Sequence, residues 1–143
     1  MALEPLFTGQ CHCGRVHATF RASTPDLQVR ACQCGFCRRH GAKNVSDTDG
    51  FVEIISNGPL VRYHFGLMTA DVLLCPVCGV YVGSTLEADG ITRVTLNAAG
   101  LGMAPYAGSD ATPMDYSGET LHERLDRRRA RWTPARVVER SPP

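Results

Sequence analysis

Apolar and polar residues alternate along much of the first hundred positions. Over residues 15–22, Val16, Ala18 and Phe20 share one face while Arg15, His17 and Thr19 share the other, a period of two that predicts a half-buried strand. Short runs of similar character predict further strands over 27–31, 51–55, 61–65, 72–74, 81–85 and 91–96. Turn signals separate them: Thr24-Pro25-Asp26, Thr48-Asp49-Gly50, Asn57-Gly58-Pro59 and Ala88-Asp89-Gly90. Strands at about ten-residue spacing, without helical patterns between them, predict a mostly β fold of antiparallel sheets. Residues 97–114 are rich in small residues, Gly and Pro, show no periodicity, and read as a covering loop. A short C-terminal helix is expected over 119–132, with Leu121 and Leu125 on one side and Pro134 limiting it. Ser141-Pro142-Pro143 reads as a frayed tail.

Length and charge narrow the class. A chain of 143 residues is expected to be one domain. A formal net charge of +1 and a pI near 7.6 argue against a general nucleic-acid or membrane-surface protein. The arginine run Arg127, Arg128, Arg129 and Arg131 therefore reads as a solvated helix face or a contact for an anionic ligand. The first ten residues have neither the basic start nor the apolar run of a signal peptide, and no apolar run approaches the roughly 20 residues of a membrane span. A cytoplasmic location is the expectation.

Seven cysteines change the picture. An odd count without an export signal points to metal ligands or catalytic thiols rather than disulfides. Each lies within three residues of another, which does not suit isolated buried hydrophobes. They form three groups: Cys11-His12-Cys13-Gly14, Cys32-Gln33-Cys34-Gly35-Phe36-Cys37 and Cys75-Pro76-Val77-Cys78-Gly79. The third reads as a zinc knuckle, a tight turn that points two sulfurs at one ion, with a glycine that lets the backbone fold back. A thioredoxin-like redox motif would lead into a helix, whereas Val80-Tyr81-Val82 continues as strand. A tetrahedral site needs two more ligands. Cys11 and Cys13, beside a strand and followed by glycine, supply them in one partition and leave Cys32, Cys34 and Cys37 together. The competing partition pairs Cys34 and Cys37 with Cys75 and Cys78 as a zinc ribbon. The 37 residues at 38–74 exceed the usual ribbon spacing of about 15–20, so spacing favours the first partition.

Three thiolates on one short loop hold zinc with a coordination position left over, the mark of a catalytic site. Such a site suits another sulfur: a substrate thiol bound there loses its proton at neutral pH. Arg38 and Arg39, next in sequence, are expected to offset the negative charge and to hold a substrate carboxylate by forked hydrogen bonds, and so join the catalytic set. The alternative is a second structural zinc completed by His40, His64 or His122. None of His12, His17, His40, His64 and His122 forms a ligand-spaced pair with another histidine, and each reads as a surface or satisfied residue. Tyr63, Tyr81 and Tyr106 are pocket or core aromatics, more often core in a β protein.

The ordered set Gly9-x-Cys11-x-Cys13-Gly14-x-Val16, Cys32-x-Cys34-x-x-Cys37-Arg38-Arg39-x-Gly41-Ala42 and Cys75-x-x-Cys78-Gly79 resembles the glutathione-dependent formaldehyde-activating enzymes, a family that also includes centromere protein V. The resemblance runs from about residue 7 to 84 and more loosely to 132, within a single domain at 1–143. It implies antiparallel sheets packed as a zinc-containing β-tent. It also implies two zinc ions per chain, with Cys11, Cys13, Cys75 and Cys78 as structural ligands and Cys32, Cys34 and Cys37 as the catalytic set. The implied activity is that of a carbon–sulfur lyase: glutathione, the co-substrate, is joined to or released from formaldehyde or another small electrophile. Gln33 departs from the family, many members of which carry histidine there, and a glutamine cannot serve as an acid or base. The alternative function is a non-enzymatic zinc module that binds protein or nucleic acid, for which the basic stretch at 124–136 is the supporting feature.

Overall fold

The computed structural model describes residues 4–141, so Pro142 and Pro143 of the expected tail and the first three residues of the N-terminal segment lie outside the described residues. In chain order the first strands are β1 (Leu6–Gln10), β2 (Val16–Arg21) and β3 (Arg30–Cys32), followed by helix α1 (Gly35–His40) and β4 (Asn44–Val45). Next come β5 (Phe51–Ser56), β6 (Val61–Tyr63), β7 (Asp71–Leu74), β8 (Tyr81–Ala88) and β9 (Ile91–Asn97). The chain closes with α2 (Ala98–Leu101), β10 (Thr112–Met114), α3 (Leu121–Arg131) and β11 (Thr133–Glu139).

The alternation read in β2 is realised: Val16, Ala18 and Phe20 are buried, while His17, Thr19 and Arg21 face outward. One sheet region runs β1-β2-β5-β11 and the other carries β6-β7-β8-β9, with β4, β3 and β10 continuing beyond β9. Strand β11 joins the two. Thr133 and Pro134 pair with β9, and Ala135–Glu139 pair with β5. The main core draws Val16, Phe20, Val52 and Ile54 from the first region and Leu73, Val82, Val94 and Leu96 from the second. No described helix is long and apolar enough to cross a membrane.

The fold is mostly β with a short helix near its C-terminus, but the sheet is mixed, which corrects the expectation of wholly antiparallel sheets. β10 lies parallel to β3, and β11 parallel to β5. Parallel neighbours need a crossover of a dozen or more residues, and both pairs are far apart in sequence. The covering-loop reading of 97–114 is also corrected. This segment holds a single helical turn, a short 3-10 turn at Tyr106–Gly108 and a three-residue strand. Pieces that short leave no period to detect. The strand expected at 27–31 is shifted to Arg30–Cys32, where pairing with β10 is available. The chain beyond α3 forms β11, with Pro134 seated where the strand passes from β9 to β5.

Helix α3 is not anchored through an apolar side. Leu121 is 50% exposed and no residue of the helix is buried. A capping box between Thr120 and Glu123 starts it, and ionic and cation–π contacts of its arginines hold it.

Candidate metal centres and the adjoining cavity

Two hairpin connections build the first sulfur cluster. Cys11 and Cys13 sit in the turn from β1 to β2, Cys75 and Cys78 in the turn from β7 to β8. The turns share a pattern. The N–H of Cys11 donates to the Val16 carbonyl at 2.9 Å, and that of Cys75 to the Val80 carbonyl at 3.0 Å. The Gly14 and Gly79 N–H groups then donate back to the carbonyls of Cys11 and Cys75. Both glycines have positive φ, +83° and +77°, a region that resists a Cβ. This is the backbone fold-back that each Cys-Gly pairing in the sequence suggested.

The Sγ atoms of Cys11 and Cys13 lie 3.7 Å apart, and those of Cys13 and Cys75 lie 3.6 Å apart. Four sulfurs at about 2.3 Å from a tetrahedral zinc stand about 3.8 Å from one another. The donor set and its spacing fit zinc, and Cys11, Cys13, Cys75 and Cys78 can hold a metal ion. The Val16 N–H also donates to Cys11 Sγ at 3.3 Å. Some desolvation raises the Cys78 thiol, but N–H donation from Cys13 and Val80, with the neighbouring thiols, outweighs it and brings Cys78 down to about 6. Because one turn belongs to each sheet region, an ion here would tie the two regions together.

The second cluster is local. Cys32 ends β3, Cys34 caps α1, and Cys37 lies in the helix's first turn. The Cys37 N–H donates to Cys34 Sγ at 3.3 Å. The short helix replaces the loop read from the sequence and turns all three sulfurs to one side, within 4.8 Å of one another. Hydrogen bonds from the Cys32 and then the Cys37 thiol pull Cys34 far down, and the same contacts push Cys32 and Cys37 up. The three sulfurs lie close enough together to hold a metal ion. Among the described residues no histidine joins either sulfur group. His40 packs on Phe36 at 4.4 Å, His64 pairs with Asp71 at 2.5 Å, and His122 lies 3.8 Å from Asp126. His12 and His17 are exposed.

The three sulfurs border a cavity of about 180 Å³. Phe36, Val72, Tyr81 and Trp132 form apolar wall. Arg30, Arg124, Arg127 and Arg128 bring four guanidiniums to it. Tyr81 is buried and its hydroxyl is 2.8 Å from Ser84 Oγ. Burial, then the charge of Cys37, holds that phenol above its ordinary value, so it stays a neutral hydrogen-bonding group. Tyr106 is buried elsewhere, in the main core, while Tyr63 is 47% exposed and stacks with Phe65.

Arg38 and Arg39 do not line this cavity. Both are exposed on α1, and Arg39 Nη1 is spent on the Gly35 carbonyl at 2.9 Å. In a helix that starts at Gly35, Cys37 turns inward and the next two residues turn away from it. The guanidiniums that do reach the cavity had quieter signals. Arg30 stands two residues before Cys32 on one strand, hence on the same face. Arg124, Arg127 and Arg128 follow the i, i+3, i+4 rule for one helix face. Gln33 also borders the cavity, with Nε2 donating to the Ala31 carbonyl at 2.9 Å. Asn44, a cavity residue that no motif singles out, places Nδ2 4.0 Å from Cys37 Sγ.

Among solved structures, the chain is similar to a Rhodobacter sphaeroides protein determined by crystallography as a structural-genomics target. The two are 28% identical with a TM-score of 0.57, and the match covers 75% of this chain and 99% of that one. No protein-family model and no curated protein matches the chain.

Proposed function

We propose that this chain is a zinc protein of the glutathione-dependent formaldehyde-activating kind, a carbon–sulfur lyase that binds a small thiol beside Cys32, Cys34 and Cys37. Cys11, Cys13, Cys75 and Cys78 would hold a structural zinc between the two sheet regions, in the manner of the family's β-tent. Cys32, Cys34 and Cys37 would hold the second. One observation carries the reading: three sulfurs converge without a fourth protein ligand among the described residues and border a cavity rather than solid core. A zinc ion bound there would lower the pKa of a ligand thiol and present it as thiolate.

The remaining chemistry belongs to the chain. In the synthetic direction the thiolate sulfur forms a bond to the aldehyde carbon, the carbonyl electron pair moves to oxygen, and that oxygen takes up a proton. The product is a hydroxymethyl thioether, and the reverse reaction cleaves it. The neutral Tyr81 hydroxyl and the Ser84 hydroxyl are donors in the cavity wall that suit the oxygen where charge develops. Phe36, Val72 and Trp132 limit water, which strengthens such hydrogen bonds. Gln33 contributes amide hydrogen bonds only.

The alternative reading as a nucleic-acid module loses support from the placement of its basic stretch. Arg124, Arg127 and Arg128 line the cavity, and Arg124 and Arg127 are paired with Glu119. Calorimetric titration of the zinc-loaded protein with glutathione and smaller thiols, in buffers of different ionisation enthalpy, tests the proposal. Binding with release of about one proton per thiol is expected. Absence of binding by every thiol in the series would sink it.

A further inference from the structure

The cavity's charges are unevenly neutralised. Arg124 and Arg127 meet Glu119 at 3.2 and 2.7 Å, and Arg127 lies 3.6 Å over the Tyr116 ring. Arg30 and Arg128 form no ion pair among the described residues. Arg30 is 7% exposed and bonds the Ser46 hydroxyl. Arg128 donates from Nη1 to Thr69 Oγ1 at 2.7 Å and stacks over the Trp132 ring, and its buried Nε has no hydrogen-bond partner. Desolvated cations without counter-charge are costly, and an anion between them would offset the cost.

Size limits that ligand. A cavity of about 150 Å³ takes benzene, so about 180 Å³ takes about six to eight non-hydrogen atoms, and the rest of a larger ligand would lie in the cavity mouth. A tripeptide thiol is more than twice that. We propose that the cavity binds a compact thiol acid, with its sulfur at the Cys32–Cys34–Cys37 cluster and its carboxylate or sulfonate between Arg30 and Arg128. This rests on the thiol-binding function proposed above and assigns to Arg30 and Arg128 the selection of an anionic ligand. Arg128 holds no other charge, and Arg30 is fixed by β3 at a two-residue offset from Cys32, so sulfur and anion are read by one short strand and the facing helix.

The test is a calorimetric comparison on the zinc-loaded full chain. The ligands are 3-mercaptopropionate, 2-mercaptoethanesulfonate, the neutral isostere 3-mercapto-1-propanol, and glutathione. The two acids are expected to bind about tenfold to a hundredfold more tightly than the alcohol, as charge-assisted hydrogen bonds from a buried arginine provide. In Arg128→Gln the acid-over-alcohol ratio should fall to about threefold or less. Equal affinities for acid and alcohol in the native protein overturn the inference, and that result does not depend on any variant folding. An Arg128→Gln protein that loses both affinities with the ratio intact overturns it too. Glutathione binding about tenfold tighter than 3-mercaptopropionate removes the compact ligand while leaving the general thiol function standing. No binding by any of the four removes both.

Discussion

The two cysteine clusters use the same ligand and differ in what the backbone does around them. The four-sulfur cluster is assembled from two hairpin turns that are 62 residues apart at Cys13 and Cys75, one in each sheet region. Each turn spends N–H groups on its own carbonyls, the first also on the Cys11 sulfur, so the thiols are held in place by β structure. The three-sulfur cluster comes from six consecutive residues at the join of a short strand and a short helix. It belongs to a small satellite cluster with Ala42, Val72 and Tyr81, and it borders a cavity. Closure across the fold would make a staple once a metal is bound. Local assembly beside empty space makes a site with room for a ligand.

The sharpest way to break this contrast is to remove one sulfur from each cluster. Cys75→Ser takes one of four ligands from a site whose metal is expected to contribute about 10–16 kcal/mol, so a loss on the order of 3–4 kcal/mol, or about 10 °C in Tm, is expected. Cys34→Ser leaves a capping oxygen at the half-buried start of α1, so it should cost about 1 kcal/mol or less and abolish thiol binding. Thermal unfolding followed by circular dichroism, with metal content measured on both variants, reads the difference. If Cys34→Ser destabilises as much as Cys75→Ser, the second cluster is also a staple and the functional reading fails.

Metal removal should separate the clusters in time. A chromophoric chelator is expected to take one equivalent at least about tenfold faster than the other, the fast one from the three-sulfur cluster. The Cys34→Ser protein should show the slow phase alone. Two equal rates in the native chain would erase the contrast.

How much of this could be read from the chain differs between the two clusters for the same reason. The Cys-x-Cys-Gly and Cys-x-x-Cys-Gly turns announce themselves locally, and the strand signals in 15–22, 72–74 and 81–85 placed the strands beside them. The cysteines of the second cluster were equally legible, but their surroundings were not. Sequence adjacency put Arg38 and Arg39 at the site, whereas the helical turn that begins at Gly35 points them away. Arg30, Arg124, Arg127 and Arg128 arrive instead through a three-residue strand and a helix without an apolar face. Likewise β10 and β11 exist because partners from distant parts of the chain offer hydrogen bonds, a signal that short windows do not contain. A staple made of turns is written locally; a cavity is written in tertiary pairing.

The gentlest probe of the contrast is the wall of the cavity. Glu119 is 16% exposed at its side chain and joins Arg124 and Arg127, so it holds the face of α3 that closes the open side. The hydrogen bond from Arg127, and then that from Arg124, carry its carboxyl below the ordinary value against the opposing effect of burial. A depressed folded-state pKa contributes stability that is present above the unfolded value, about 4.3, and is lost as pH falls through the folded one. Glu119→Gln should therefore cost about 1–2 kcal/mol at pH 7, with the same difference at pH 5 and a narrowing one only below about pH 4.3. Urea midpoints read by the emission of Trp132, the chain's single tryptophan, report this directly, because its ring carries Arg128 at 4.7 Å. The closed cluster, in another part of the fold, should keep its slow metal release unchanged in this variant. A stability difference that shrinks between pH 7 and pH 5, or a slow phase that speeds up, would mean that the wall of the open site and the staple are one unit rather than two.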